Sequence, residues 1–171
     1  MSVGSTEKRG RTRLRLLQVF GTIAALLLAM GVTALPASAA VQSCSGQVES
    51  NVCLTITALG NGRYAAEIGL DYRIGQDDAQ TIIDAIGDPV SATVLDDDGG
   101  VLRTLFVTPI FVQGASPDAG YSVGARAEGP GGLLNGDSGI DTLRGRVTMY
   151  DPRTGTTRTF TTPVVSITIV A

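Results

Sequence analysis

The residues of this 171-residue chain that could do chemistry are few, and most are carboxylates. Asp96-Asp97-Asp98 supplies clustered hard oxygen donors of the kind calcium takes, six or more at a time. The three are contiguous rather than alternating, so their side chains splay. The pattern therefore favours a polar hairpin tip that deters edge association, with calcium as the lesser reading. Glu67 and Asp71 share the outer face of one predicted strand. At ~3.3 Å per residue they stand about 13 Å apart, beyond the ~5–9.5 Å that either geometry of glycoside hydrolysis requires. Cys44 and Cys53 are the only cysteines, and an even count in an exported chain is a disulfide before it is a redox or metal pair. Closing so short a loop stabilises a fold by roughly 2–3 kcal/mol in the chain-entropy model. It would pin the N-terminal segment against the first long strand.

Gly136-Asp137-Ser138-Gly139 resembles the nucleophile segment of chymotrypsin-like serine proteases, and that resemblance implies a serine activated by histidine. The chain has no histidine, so the mechanism has no base to take the serine proton. Lys8 is the only lysine and lies in the leader, which removes Schiff-base and Ser-Lys chemistry as well. What remains is carboxylate chemistry in a small domain with few aromatics to line a sugar site. The expectation is no enzyme, no cofactor and no resident metal.

The elements that would position these residues begin after a leader. Lys8, Arg9, Arg11, Arg13 and Arg15 precede an apolar run over residues 16–35, and Pro36-Ala37-Ser38-Ala39-Ala40 ends it with small residues. This is a secretory signal peptide over 1–39, cleaved near Ala39/Ala40; the alternative is a membrane anchor through uncleaved residues 16–35. The remainder, 40–171, is one domain. Removing five basic residues and one acidic residue with the leader leaves eight arginines against fifteen carboxylates, a net charge near −7. Such a surface repels phosphate, which argues against nucleic acid and, once the leader is gone, against anionic membranes.

Val52 to Ile74 sets the architecture. Val52, Leu54 and Ile56 alternate with polar residues, Gly60-Asn61-Gly62 makes a turn, and Tyr64, Ala66, Ile68, Leu70, Tyr72 and Ile74 share the apolar face of the return strand. A lone hairpin is marginal in water, so other strands must cover that face. Ala79, Ile82, Ile83 and Ile86 recur at helical spacing and predict one short helix over about 78–86, with Asp77 and Gln80 as a capping box. Hairpins follow over 90–107 around Asp96–Gly100 and over 143–162 around Asp151-Pro152-Arg153-Thr154-Gly155, with a terminal strand over 164–170. Pro109 restricts 110–113 to an edge strand or a bulge, and 121–127 alternates as another strand. These runs predict an all-β, immunoglobulin-like sandwich of about eight or nine short strands with one helical insertion. It lacks the Cys-Trp-Cys arrangement of antibody domains, so the likeness is architectural and implies no activity.

The functional expectation is a secreted, non-enzymatic binding or structural module at or outside the bacterial cell surface, with a protein or cell-envelope ligand. The alternative is a secreted inhibitor of a protease or other enzyme, presenting Gly114–Gly120 or the glycine-rich stretch Gly129–Gly139 as its loop. A carboxylate-based hydrolase ranks last.

Overall fold

The computed structural model describes residues 39–134 and 140–169, so residues 1–38 of the expected leader and the Gly136–Gly139 motif lie outside the described residues. Ten strands form two antiparallel sheets packed face to face. In chain order they are β1 (Ala40–Cys44), β2 (Ser50–Gly60), β3 (Arg63–Tyr72), helix α1 (Gln76–Ile83), β4 (Val90–Asp98), β5 (Val101–Thr108), β6 (Ile110–Ser116), β7 (Gly120–Pro130), β8 (Ile140–Asp151), β9 (Thr156–Thr161) and β10 (Val165–Thr168). One sheet runs β1-β2-β3-β7-β6. In the other, β5 and β4 lie beside β8, whose far edge takes β10 along its first half and β9 along its second.

The β2–β3 hairpin forms as the alternation dictates. Asn61 and Gly62 both have positive φ, 51° and 68°, the two-residue turn whose twist matches the flanking strands. The register places Val52, Leu54 and Ile56 opposite Leu70, Ile68 and Ala66, and extends across β3 to Val123, Ala125 and Ala127 of β7. The facing sheet contributes Val90, Ala92 and Val94 opposite Met149, Val147 and Gly145. At Gly145 the layers come close: a β-carbon there would sit 3.1 Å from Ile68 Cγ1, so the glycine lets that isoleucine reach across the core.

Prolines turn the corners. Pro109 lies between β5 in one sheet and β6 in the other, needs no amide partner there, and accepts a hydrogen bond from Arg126 N–H at 3.1 Å. Pro163 interrupts the edge between β9 and β10. There the backbone and hydroxyl of Thr162 bind Gly145, each at 2.9 Å, and Arg144 holds the Thr162 carbonyl.

Three local expectations are corrected. The helix starts two residues earlier and ends three earlier than predicted, and its N-cap is Gly75 with no side-chain cap. The capping box does not form because the helix begins earlier: with Gly75 at the N-cap, Asp77 stands inside the first turn rather than ahead of it, and the Gln80 side chain donates to Asp84 at 2.9 Å. Asp96, Asp97 and Asp98 belong to β4, and the hairpin tip is Gly99-Gly100, both with positive φ. Residues 114–116, expected in a loop, belong to β6, which leaves a tight turn before Gly120. The added strand is β1, which lacks an apolar alternation. It pairs with β2 from Ala40↔Thr57 to Cys44↔Cys53, and the disulfide joins that last pair.

Candidate functional site

Helix α1 sits over one end of the sandwich. Ala79 and Ile82 are fully buried, which fixes the apolar face of the helix against the core and turns its carboxylates outward. Across from it is the β8–β9 turn, whose geometry comes from Asp151. This nearly buried carboxylate accepts hydrogen bonds from the Arg153 backbone N–H at 3.0 Å, from Nε at 3.1 Å and from Nη2 at 2.8 Å. The guanidinium beside it holds the Asp151 carboxyl below the usual carboxylate range, and Arg153 also pairs with Asp78 of the helix. One arginine thereby ties α1 to the turn.

Next to this clamp lies an open cleft of about 720 Å³, lined by Thr81, Asp84, Ile86, Asp88, Tyr150 and Pro152 among others. Its size is in the range of ligand sites. Ala85, Ile86, Pro89 and Pro152 give it apolar walls, and Tyr150, half exposed, offers a ring face. Ile86 projects fully into solvent from the segment after α1. The only charged side chains of the lining are the carboxylates of Asp84 and Asp88. Asp84 accepts one hydrogen bond, from Gln80. A second hollow, between Tyr64, Phe106, Ala127, Leu133 and Leu134, measures about 130 Å³, too small for a drug-sized ligand.

The residues singled out in the sequence are dispersed. Asp96 is nearly buried and paired with Arg103 at 2.9 Å. Asp97 is held at 2.6 Å by Arg144 and accepts the Gly100 N–H; the arginine hydrogen bond is the main cause that lowers its pKa. Asp98 is exposed. Two of the three carboxylates are therefore engaged by different arginines, and no group of three His, Cys, Asp or Glu among the described residues is placed to hold a metal ion. Glu67 pairs with Arg126, and Asp71 accepts the Ser122 hydroxyl at 2.7 Å, so each belongs to a separate surface contact. Cys44 and Cys53 form a disulfide, with no free cysteine among the described residues. Within the glycine-rich stretch, Leu134 is buried and Leu133 is half exposed.

Two further features had no clear sequence signal. Val101, Leu102, Val107, Phe111 and Val112 leave a run of exposed apolar side chains along β5 and β6, the strands on either side of the Pro109 corner. Asp141 occupies an inward position of β8, is 3 % exposed, and its Oδ2 has no hydrogen-bond partner. The cleft was also missed. Its walls come from residues 81–89 and 150–152, and each segment reads by itself as a helix end or a turn. The available clue was Ile86, an apolar residue just before Gly87-Asp88-Pro89.

Among the described residues no helix is long and apolar enough to cross a membrane, and the disulfide fits an oxidising compartment. No protein-family model, curated protein or solved structure matches this chain.

Proposed function

We propose that the chain is a secreted, non-enzymatic β-sandwich that works as a binding module at or outside the bacterial cell surface, using the cleft between α1 and the β8–β9 turn. The observation that carries this reading is the cleft itself: it is of ligand size, walled by Ile86, Pro89, Tyr150 and Pro152, and backed by two elements tied through Arg153. The immunoglobulin-like description is part of the same proposal and extends to two packed antiparallel sheets carrying function at one end, not to antibody strand order. Export rests on the leader over 1–39 together with the disulfide.

Fractionating the native host, with intact mass measured on the fraction that holds the protein, tests both parts. A mass lacking residues 1–39 and two hydrogens, in the medium or bound to isolated envelopes, is expected. Envelope binding should weaken when Tyr150→Ala and Ile86→Ser are combined. A full-length mass in the cytoplasm would refute export, and turnover in a glycosidase and esterase screen would refute the non-enzymatic assignment.

A further inference from the structure

We infer that the cleft receives an arginine side chain presented by an extended segment of another protein. This rests on the reading of the domain as a binding module and names the chemistry of its ligand. Charge complementarity carries the inference. The lining contains two carboxylates, Asp84 and Asp88, and no cation. The neighbouring arginine cannot fill that role, because the Arg153 guanidinium is engaged by Asp151 at 2.8 Å and by Asp78. Helix α1 ends beside the cleft with no basic residue in its last turn, so its C-terminal carbonyls add negative potential that nothing on the helix offsets.

The apolar part of the cleft selects among cations. A free metal ion or a small amine gains nothing from Ala85, Ile86, Pro89 and Pro152, whereas the three-carbon stem of an arginine is covered by them. Tyr150 presents a half-exposed ring on which a planar guanidinium stacks while its N–H groups reach carboxylate oxygens in pairs. Lysine offers the charge without the plane. The shape is an open cleft rather than a closed pocket, which suits a side chain that arrives attached to a backbone.

The test uses the protein expressed with its own leader and purified after export, titrated against a fluorescein-labelled Leu-Arg-Leu-Arg-Leu peptide by anisotropy. A twin peptide carries citrulline, which keeps the shape and removes the charge. Binding of the arginine peptide is expected, about tenfold weaker for the citrulline twin and about tenfold weaker for the Asp84→Asn, Asp88→Asn double variant. Tyr150→Ala should weaken it as well. Asp118→Asn removes an exposed charge from the β6–β7 turn and should leave binding unchanged, which separates the cleft from general attraction to an acidic protein. Near-ultraviolet circular dichroism confirms that each variant folds. Equal affinity for the two peptides, equal losses in the Asp118 and cleft variants, or no binding at millimolar peptide would each overturn the inference. If envelopes still bind in a Tyr150-dependent way while the peptide does not, the arginine assignment fails and the module stands; loss of both refutes both.

Discussion

Gly120 and Gly155 form a matched pair that separates backbone strain from steric exclusion. Both have positive φ, 75° and 64°, so alanine at either position enters the left-handed region at a cost of about 1–2 kcal/mol. Around Gly155 no atom lies within 4 Å of the place an alanine methyl would take, and the turn can accept it. At Gly120 the β-carbon would sit 2.5 Å from the Tyr72 carbonyl oxygen, 2.6 Å from the Ile74 nitrogen and 2.8 Å from the Ile74 oxygen. All three are backbone atoms, of the last residue of β3 and of Ile74 just after it, so no rotamer change relieves the contact. The start of β7 must move away from β3, disturbing the Tyr72↔Tyr121 pair and the fully buried Tyr121 ring, which adds roughly 2–3 kcal/mol in lost packing and hydrogen bonding. Gly120→Ala should therefore cost about 3–5 kcal/mol and Gly155→Ala about 1 kcal/mol, against a total stability of roughly 5–15 kcal/mol for such a domain. Urea unfolding followed by tyrosine fluorescence measures both, with unchanged slopes required for the comparison. Losses equal within ~0.5 kcal/mol, the limit for attributing a difference to separate sites, would refute the crowding argument at the β3–β7 junction.

Asp141→Asn should stabilise the fold by about 1–2 kcal/mol, because it removes a buried carboxylate whose Oδ2 lacks a partner; a lower melting temperature would show that this carboxylate is satisfied in solution. Asp97 and Asp151 have folded-state pKa values below their ordinary 3.8, so the stability they contribute is complete above that value and is lost as pH falls below it. Urea midpoints at pH 6 and pH 3 should therefore diverge less in the Asp97→Asn, Asp151→Asn double variant than in the parent. Replacing Cys44 and Cys53 by serine should abolish hydrogen-exchange protection in β1 first, since this edge strand pairs with β2 alone and is fastened to it by the disulfide; uniform loss across both sheets would place β1 in the cooperative core. Val107→Lys with Phe111→Ser should raise the solubility limit without lowering the melting temperature, because both side chains are mostly exposed beside the Pro109 corner.

The parts of the fold legible in the sequence were those in which neighbours along the chain decide the outcome. The alternation from Tyr64 to Tyr72 and the Asn61-Gly62 turn prescribe each other, and the β8–β9 connection follows from a proline and a glycine in fixed order. Prediction failed where a distant group supplies a partner. Asp78 lies in the first turn of α1 and pairs with Arg153, seventy-five positions away, a contact no local rule contains, whereas Gln80 turns forward to Asp84, its i,i+4 neighbour on the same helix. The aspartate run failed differently: Gly99-Gly100 is a sufficient turn, so the strand continued through all three carboxylates and two of them met arginines. The disulfide that pins the N-terminal segment against the first long strand was legible from the two cysteines, but β1 as a strand was not, because it carries no apolar alternation.

The same pairings explain why the cleft is left acidic. Outside residues 1–39, fifteen carboxylates face eight arginines, so ion pairing within the fold must leave carboxylates over. Arg126 bridges Glu67 and Glu128 on one outer face, Arg103 and Arg144 hold Asp96 and Asp97 near the end of β4, and Arg153 joins Asp78 to Asp151. Each of these arginines fastens one strand or helix to another, so none of them can leave for the cleft without loosening a structural contact. The surplus includes Asp84 and Asp88, which stand beside apolar walls and an unneutralised helix end. A carboxylate in open solvent needs no partner, but one at the rim of a cleft gains when a ligand brings a positive charge and displaces water from the apolar wall at the same time. The four arginines that hold these elements together are thus committed to carboxylates other than Asp84 and Asp88, and the cleft lining carries no cation of its own.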